Sequence, residues 1–270
     1  LPQGNDRKRA TIPRLEVTEA RELLGIMVCP DGKESDQAKH LLTKTRRWRD
    51  AIRTHHLRRS DAWCVLTHTI IRTIEYPLMA TTLSRSQLTE VISPVLCGGL
   101  PKSGVQKFMP RALVHGSLNI QGMTIPHPYG TQTTQHLQAI MRHGVRPTYT
   151  GQLLRALMHQ HVLELGSATS FWHLDYSKWK CLATPSWQTH TWMDISNSTL
   201  TLCGPIELLK ALRTNDVFLM DRFVNLGTYT ESQLDKLNNC RTFLKVTRLS
   251  DLTTADGKRI ETKAGTGQPI

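Results

Sequence analysis

The block from Leu23 to Tyr76 constrains this chain more tightly than any other part of the sequence. It contains two apolar stripes at three- and four-residue spacing. The first runs Ala38, Leu41, Leu42, Trp48 and Ile52, with Thr45 filling the gap. Because an α-helix turns once every 3.6 residues, that spacing gathers the stripe on one side of a helix. Lys39, Lys44, Arg46, Arg47, Arg49 and Arg53 take the remaining positions, and Asp50 is the only acid after Asp36. Ser35 is a good N-cap, so a helix is expected from there to about Arg53. The second stripe, Trp63, Leu66, Ile70 and Ile74, follows Ser60. A third helix is signalled by Ser84-x-x-Gln87, a capping box that satisfies two N–H groups a helix start leaves open. It shows Leu88, Val91, Ile92, Val95 and Leu96 on one face and is expected to stop at Gly98-Gly99. Residues 35–97 are therefore expected to pack as three helices around Leu41, Leu42, Trp48, Trp63, Leu66, Ile70, Leu88, Val91 and Val95.

The flanks follow from turn chemistry. Leu23 to Cys29 is an apolar run that reads as a strand, and Pro30-Asp31-Gly32 supplies the turn after it. Residues 1–34 are read as an edge hairpin behind a polar lead-in. From 98 to 149 the chain reads as a connector, and Pro101, Gly104, Pro110, Gly116, Gly122, Pro126 and Pro128 set residues 98–130 apart from either helical core. Leu137, Ile140 and Met141 mark a helix ending at Gly144. Thr150 opens another, carrying Leu153, Leu154, Leu157, Met158, Val162 and Leu165 and closed by Gly166. Trp172, Trp179, Trp187 and Trp192 then suggest a small second core. Thr230-x-x-Gln233 is another capping box. Its helix is expected to end at Asn238-Asn239, and Thr242 to Thr247 alternates like a strand. Residues 150–262 read as a mostly helical region and 263–270 as a disordered tail. The fold class is mainly α with short strands.

Charge narrows the class of partner. The chain has 34 Lys+Arg against 22 Asp+Glu, a formal net charge of +12. Such an excess favours polyanions through counterion release. No run of about 18 apolar residues exists, so no membrane helix is expected. Leu1-Pro2-Gln3-Gly4-Asn5-Asp6 is polar and carries no secretory pattern. The six cysteines, 29, 64, 97, 181, 203 and 240, form no Cys-x-x-Cys pair and read as reduced thiols of the cytoplasm or nucleus. His159, His161, His173, Cys181 and His190 lack the paired spacing of a zinc finger or knuckle, and no metal or cofactor is expected. Two-metal nucleotidyl transfer needs carboxylates held together, yet no Asp-Asp dipeptide occurs. The phosphate-binding Gly-x-x-x-x-Gly-Lys-[Ser/Thr] loop, Gly-x-Ser-x-Gly and His-Glu-x-x-His are absent as well, so no residue is assigned a catalytic role. The chain opens on Leu1 rather than Met, which leads to the expectation of a piece of a longer reading frame.

Several segments together resemble the region downstream of the catalytic palm in the reverse-transcriptase polyprotein of non-LTR retrotransposons. Leu24-Gly25 resembles the primer-grip strand of that family, and Pro30-Asp31-Gly32 the turn after it. Ser60-Asp61-Ala62-Trp63, Glu75-Tyr76-Pro77-Leu78 and Thr81-Thr82-Leu83 resemble the thumb helices and their exit. Leu100-Pro101-Lys102, Gly104, Phe108, Pro110-Arg111-Ala112 and Gly116 resemble the connector. Asp175-Tyr176, Trp187, Trp192, Phe218-Leu219-Met220, Asn239-Cys240-Arg241 and Leu249-Ser250-Asp251 resemble later positions. The family often carries an aromatic before Leu-Gly, where this chain has Leu23. The resemblance implies a palm-edge hairpin over 1–34 and a thumb-like bundle over 35–97. It also implies an RNA-directed DNA polymerase as parent and an RNA–DNA or DNA duplex, plus the rest of the polyprotein, as partners. The phosphate-contacting residues expected are Lys39, Lys44, Arg46, Arg47, Arg49, Arg53, Arg58 and Arg59, with Leu24 and Gly25 at the primer-grip-like turn. The alternative is a decayed element product or a non-enzymatic host protein that binds nucleic acid or another partner.

Purified chain given a primed homopolymer template with Mg²⁺ or Mn²⁺ is expected to add no nucleotide. Measurable primer extension would contradict the assignment based on the missing aspartate pair.

Overall fold

The structure is a computed structural model. It describes residues 16–198, 200, 202, 209–254 and 256–260. The amino-terminal lead-in up to residue 15 and the tail 263–270 lie outside the described residues. The chain divides into two compact units between Gln132 and Thr133.

The first unit opens on a hairpin. Strands β1 (Arg21–Leu23) and β2 (Ile26–Val28) pair antiparallel, with Leu23 opposite Ile26. The apolar run is thus not one strand. Leu24 and Gly25 form the two-residue turn, both at positive φ (51° and 84°), the geometry that keeps hairpin strands twisting together. Pro30 and Asp31 turn the chain again, with Gly32 N–H donating to Cys29 O at 3.0 Å. A two-stranded ribbon is marginal alone. Here Met27 N–H donates to Gln37 Oε1 at 2.7 Å, which ties β2 to the next helix.

Helix α1 (Ser35–Thr54) starts one residue earlier than the N-cap reading, with Glu34 at the cap. The Glu34 carboxylate instead reaches across to Thr82, accepting its N–H at 2.5 Å and its hydroxyl at 2.9 Å. The second expected helix is a continuous helical segment made of α2 (Arg59–Cys64), a π-helical stretch Val65–Ile70 and α3 (Ile71–Glu75). The wider π turn lets adjacent Ile70 and Ile71 both face inward, beside Leu66 and Ile74. A short 3₁₀ turn, Tyr76–Ala80, follows. The Ser84 capping box forms as expected and opens α4 (Arg85–Lys102).

α4 does not stop at Gly98-Gly99. It continues to Lys102 because those glycines serve close packing rather than termination. A Cβ at Gly98 would stand 3.3 Å from the Arg49 Cα and 3.0 Å from its Cγ, so the missing side chain lets α1 lie directly on α4. Of the expected interior, Leu41, Leu66, Ile70, Leu88, Val91 and Val95 are buried, while Leu42, Trp48 and Trp63 are half-buried and pack against that cluster.

Residues 98–130 are not set apart from the core. Leu100, Val114 and Ile125 are buried in the same cluster as α4. Helix α5 (Arg111–His115) is held to the returning chain by Met123 N–H to Leu113 O (2.8 Å) and Ile125 N–H to Val114 O (3.1 Å). The glycines of this segment permit a backbone crossing, since a Cβ on Gly122 would come within 2.6 Å of the Gly116 Cα. Buried Gln132 closes the unit: its amide brackets Leu83, donating to Leu83 O (2.9 Å) and accepting Leu83 N–H (3.1 Å).

Helix α6 (Pro128–His143) carries the division between the units. In the second unit, α7 (Tyr149–Leu165) is capped by Thr148, two residues before the expected start, and ends at Gly166 as expected. α8 (Tyr176–Trp179), α9 (Trp187–Ser196), α10 (Leu219–Leu226) and α11 (Glu231–Leu244) follow. Trp172, Trp179 and Trp192 are buried with Phe171, Leu165 and Met220, and Trp187 packs against them, so the tryptophan cluster is a second core. The Thr230 capping box forms, but α11 runs through Asn238-Asn239 and ends at Lys245 in the left-handed region. Thr242–Leu244 is helix, not strand. Asn238 does not terminate the helix because its side chain is buried and accepts two N–H groups of Arg241. The same guanidinium donates to Leu163 O and Glu164 O, both at 2.8 Å, and so satisfies carbonyls at the end of α7.

Burial predicts a ranking within the first unit. Leu66→Ala is expected to cost about 2–5 kcal/mol, the range for a buried leucine. Leu42→Ala, at a half-buried position, is expected to cost clearly less. Urea unfolding of both variants checks this, and equal losses would contradict the packing described.

Candidate nucleic-acid interface

α1 presents its charges unevenly. Lys39, Arg46, Arg47 and Arg53 are exposed, on the side opposite Leu41, Thr45 and Ile52. From Lys39 to Arg53 this row extends about 21 Å, at 1.5 Å per residue. Asp50 sits in the middle of it.

The expected residues do not all share that face. Lys44 is half-buried at its edge, with Nζ 5.7 Å from the Trp48 ring. Arg49 is turned the other way, its stem against Gly98 of α4 and its guanidinium on Asp50 at 2.8 and 3.1 Å. That pairing, helped by Arg53, holds the Asp50 carboxyl below its ordinary value and raises the Arg49 guanidinium. Arg49 therefore neutralises the one acid in the row rather than adding to the free positive charge.

Two further cations have loose partners. Arg46 stands 3.9 Å from Glu90 of α4, both well exposed, and Lys39 stands 3.5 Å from Asp36. Surface pairs of this kind are worth about 0–1 kcal/mol and release readily to a stronger anion. Arg47, Arg53, Arg58 and Arg59 are exposed and make no ion pair among the described residues. Arg58 and Arg59 begin the next helical segment, so the basic surface continues past the end of α1.

Trp48 and Trp63 are not open stacking platforms. Both are half-buried against the apolar cluster of this unit. Leu24 at the hairpin turn is 81% exposed, and Gly25 beside it lies near Tyr76, where a Cβ would be 3.7 Å from Cε1. The turn expected to be primer-grip-like is thus an open apolar tip.

One arrangement in the second unit has the look of a relay. His161 Nδ1 lies 3.1 Å from Glu164 Oε2, and its Nε2 lies 3.0 Å from Ser186 Oγ. The Ser186 oxygen, however, already accepts Thr189 N–H at 3.1 Å as the N-cap of α9. Glu164 likewise accepts the N–H and hydroxyl of Thr184. His161 is buried, and the open cavity next to Glu164 is lined by neither His161 nor Ser186. These groups fasten the starts and ends of helices to one another. Among the described residues, no group of three or more His, Cys, Asp or Glu side chains is placed to hold a metal ion, and no helix is long and apolar enough to cross a membrane.

Comparison with known proteins finds no matching family model, no matching curated protein and no matching solved structure.

Proposed function

We propose that the first unit holds a nucleic-acid duplex through its phosphates, with α1 and the start of α2 as the bearing surface. The observation that carries this reading is the exposed arginine set Arg47, Arg53, Arg58 and Arg59, which makes no ion pair among the described residues, beside the weakly held Arg46 and Lys39. Guanidinium forks suit phosphate oxygens, and phosphate contacts position a duplex without reading its bases. Together with the segments that resemble a reverse-transcriptase thumb, this surface supports the role of a thumb that grips a template–primer duplex. The parent activity would be RNA-directed DNA synthesis by a retroelement polymerase, with the metal-binding carboxylates outside this chain. Such a role belongs in the cytoplasm or nucleus, where template and primer meet.

A salt titration tests the proposal. Binding to B-form DNA and to an RNA–DNA hybrid is expected to be steep in salt and indifferent to sequence. Each phosphate neutralised contributes roughly 0.9 to the slope of log K against log salt on B-form DNA. Changing Arg46, Arg47 and Arg53 together to Gln is expected to flatten the slope by up to about 2.7 on that basis, with the helical content unchanged. Arg222→Gln, at an exposed position of the second unit, is expected to leave the slope as it was. Equal slopes for the wild type and the triple variant would show the row to be an ordinary solvated face.

A further inference from the structure

The first unit carries a second basic feature on a different side of α4. Arg85, Thr89, Ile92, Ser93 and Leu96 of α4 face Arg111, Ala112 and His115 of α5 and His127 across a cleft of about 440 Å³. At 100° per residue, positions 85, 89, 92 and 96 fall within one narrow sector of α4. Glu90 and Gly98, which meet α1, fall outside it. The cleft is therefore separate from the arginine row of α1.

Its lining holds no carboxylate. The guanidinium groups of Arg85 and Arg111 make no ion pair among the described residues, and the Arg85 group lies 5.9 Å from the Tyr129 ring. Ser93 Oγ is half-buried and makes no hydrogen bond among the described residues. The His115 and His127 rings meet edge to face, 4.9 Å apart. His115 Nδ1 bonds to Ile125 O at 2.8 Å, and its Nε2 makes no hydrogen bond among the described residues. Tyr129 N–H donates to His127 Nδ1 at 3.2 Å, which puts the proton of the neutral ring on Nε2, 3.4 Å from Thr89 Oγ1. Burial, then the neighbouring His115 and Arg85, push the His127 pKa down to about 4. The Arg85 guanidinium is the fixed positive charge beside that ring. The lining of this cleft thus brings together two arginines, the Ser93 hydroxyl and two imidazoles beside the apolar Ile92, Leu96 and Ala112.

We propose that this cleft binds a phosphate monoester that carries an organic group, of the class of a nucleotide, with Arg85 and Arg111 on the phosphate and the attached group on the apolar floor. Its volume falls in the range of small-ligand sites, roughly 300–1,000 Å³. Charge-assisted bonds from two arginines favour a phosphate over a neutral group. The phosphate could be that of a free nucleotide or of the end of a nucleic-acid strand, and the site is independent of the duplex-bearing role of α1.

The experiment is calorimetric titration of the full chain with AMP, adenosine and inorganic phosphate. AMP is expected to bind at least about tenfold more tightly than adenosine, since hydrogen bonds to charged groups are each worth about a factor of ten or more, and more tightly than inorganic phosphate, which leaves the apolar floor uncovered. Arg111→Gln and Arg85→Gln are each expected to weaken AMP by about tenfold. Both side chains are exposed, so the fold should survive, and circular dichroism verifies that. The Arg46, Arg47 and Arg53 triple variant is expected to bind AMP as the wild type does, which separates this site from the duplex reading. Displacement of AMP by a 5′-phosphorylated oligonucleotide but not by its 5′-hydroxyl counterpart would support the site and assign it to strand ends. Displacement by neither would support it as a site for the free nucleotide. Equal affinity for AMP and adenosine, equal affinity for AMP and inorganic phosphate, or unchanged AMP binding in folded Arg85 and Arg111 variants would overturn the proposal.

Discussion

The contact of α1 with α4 at Gly98 governs the first unit. A Cβ there would stand 3.0 Å from the Arg49 Cγ and 3.3 Å from its Cα and carbonyl oxygen, tighter than ordinary contact, and its absence lets the Leu41–Thr45–Ile52 stripe sit against Leu88, Val91 and Val95. Apolar burial supplies the driving force, and small residues at the crossing decide how closely the helices approach. Once α1 is seated in this way, its rotation is set. The stripe is inside, Arg49 is pulled to the seam, and the side carrying Arg46, Arg47 and Arg53 has nowhere to turn but outward. Glu34 at one end of α1, bonded to Thr82, and Gln37, bonded to Met27, hold the same rotation from the amino-terminal side.

That constraint has an electrostatic consequence. A row of cations on a helix is ordinarily softened by acids three or four residues away. Here Asp50 is occupied by Arg49 and Asp36 only weakly meets Lys39, so the outward side keeps most of its positive charge. A second basic region forms around Arg85 and Arg111, beside His115 and His127, because α5 and the return to α6 bring distant residues against the other side of α4. One helix therefore separates two basic surfaces of different shape, a convex row and a concave cleft.

Much of the helical frame was legible from the chain alone. The capping boxes at Ser84 and Thr230 were readable because side chain and backbone satisfy each other locally, whatever the surroundings. The apolar stripes gave the interior of α1 and α4 because a 3.6-residue period has one meaning for a helix against a core. Residues whose role is set by a distant neighbour were not legible. Gly98-Gly99 and Asn238-Asn239 look like helix ends, yet one pair accommodates another helix and the other holds a buried arginine. The glycines and prolines of 98–130 read as a connector, but Gly116 and Gly122 mark a tight crossing that brings Val114 and Ile125 into the core. Leu24 hid a hairpin turn because a leucine at positive φ breaks the usual association of such turns with Asn, Asp and Gly. For the candidate surfaces, the basic character of α1 was readable, whereas the inward commitment of Arg49 and the gathering of Arg85, Arg111 and His127 around one cleft depended on tertiary packing.

The most direct test of the central claim is arginine footprinting on the intact chain with phenylglyoxal, read residue by residue by mass spectrometry, with and without a saturating RNA–DNA hybrid. Strong protection of Arg46, Arg47 and Arg53, with Arg222 and Arg259 reacting as before, is the result predicted by an outward-facing α1 that bears a duplex. Unchanged reactivity along α1, or protection confined to arginines of the second unit, would contradict it.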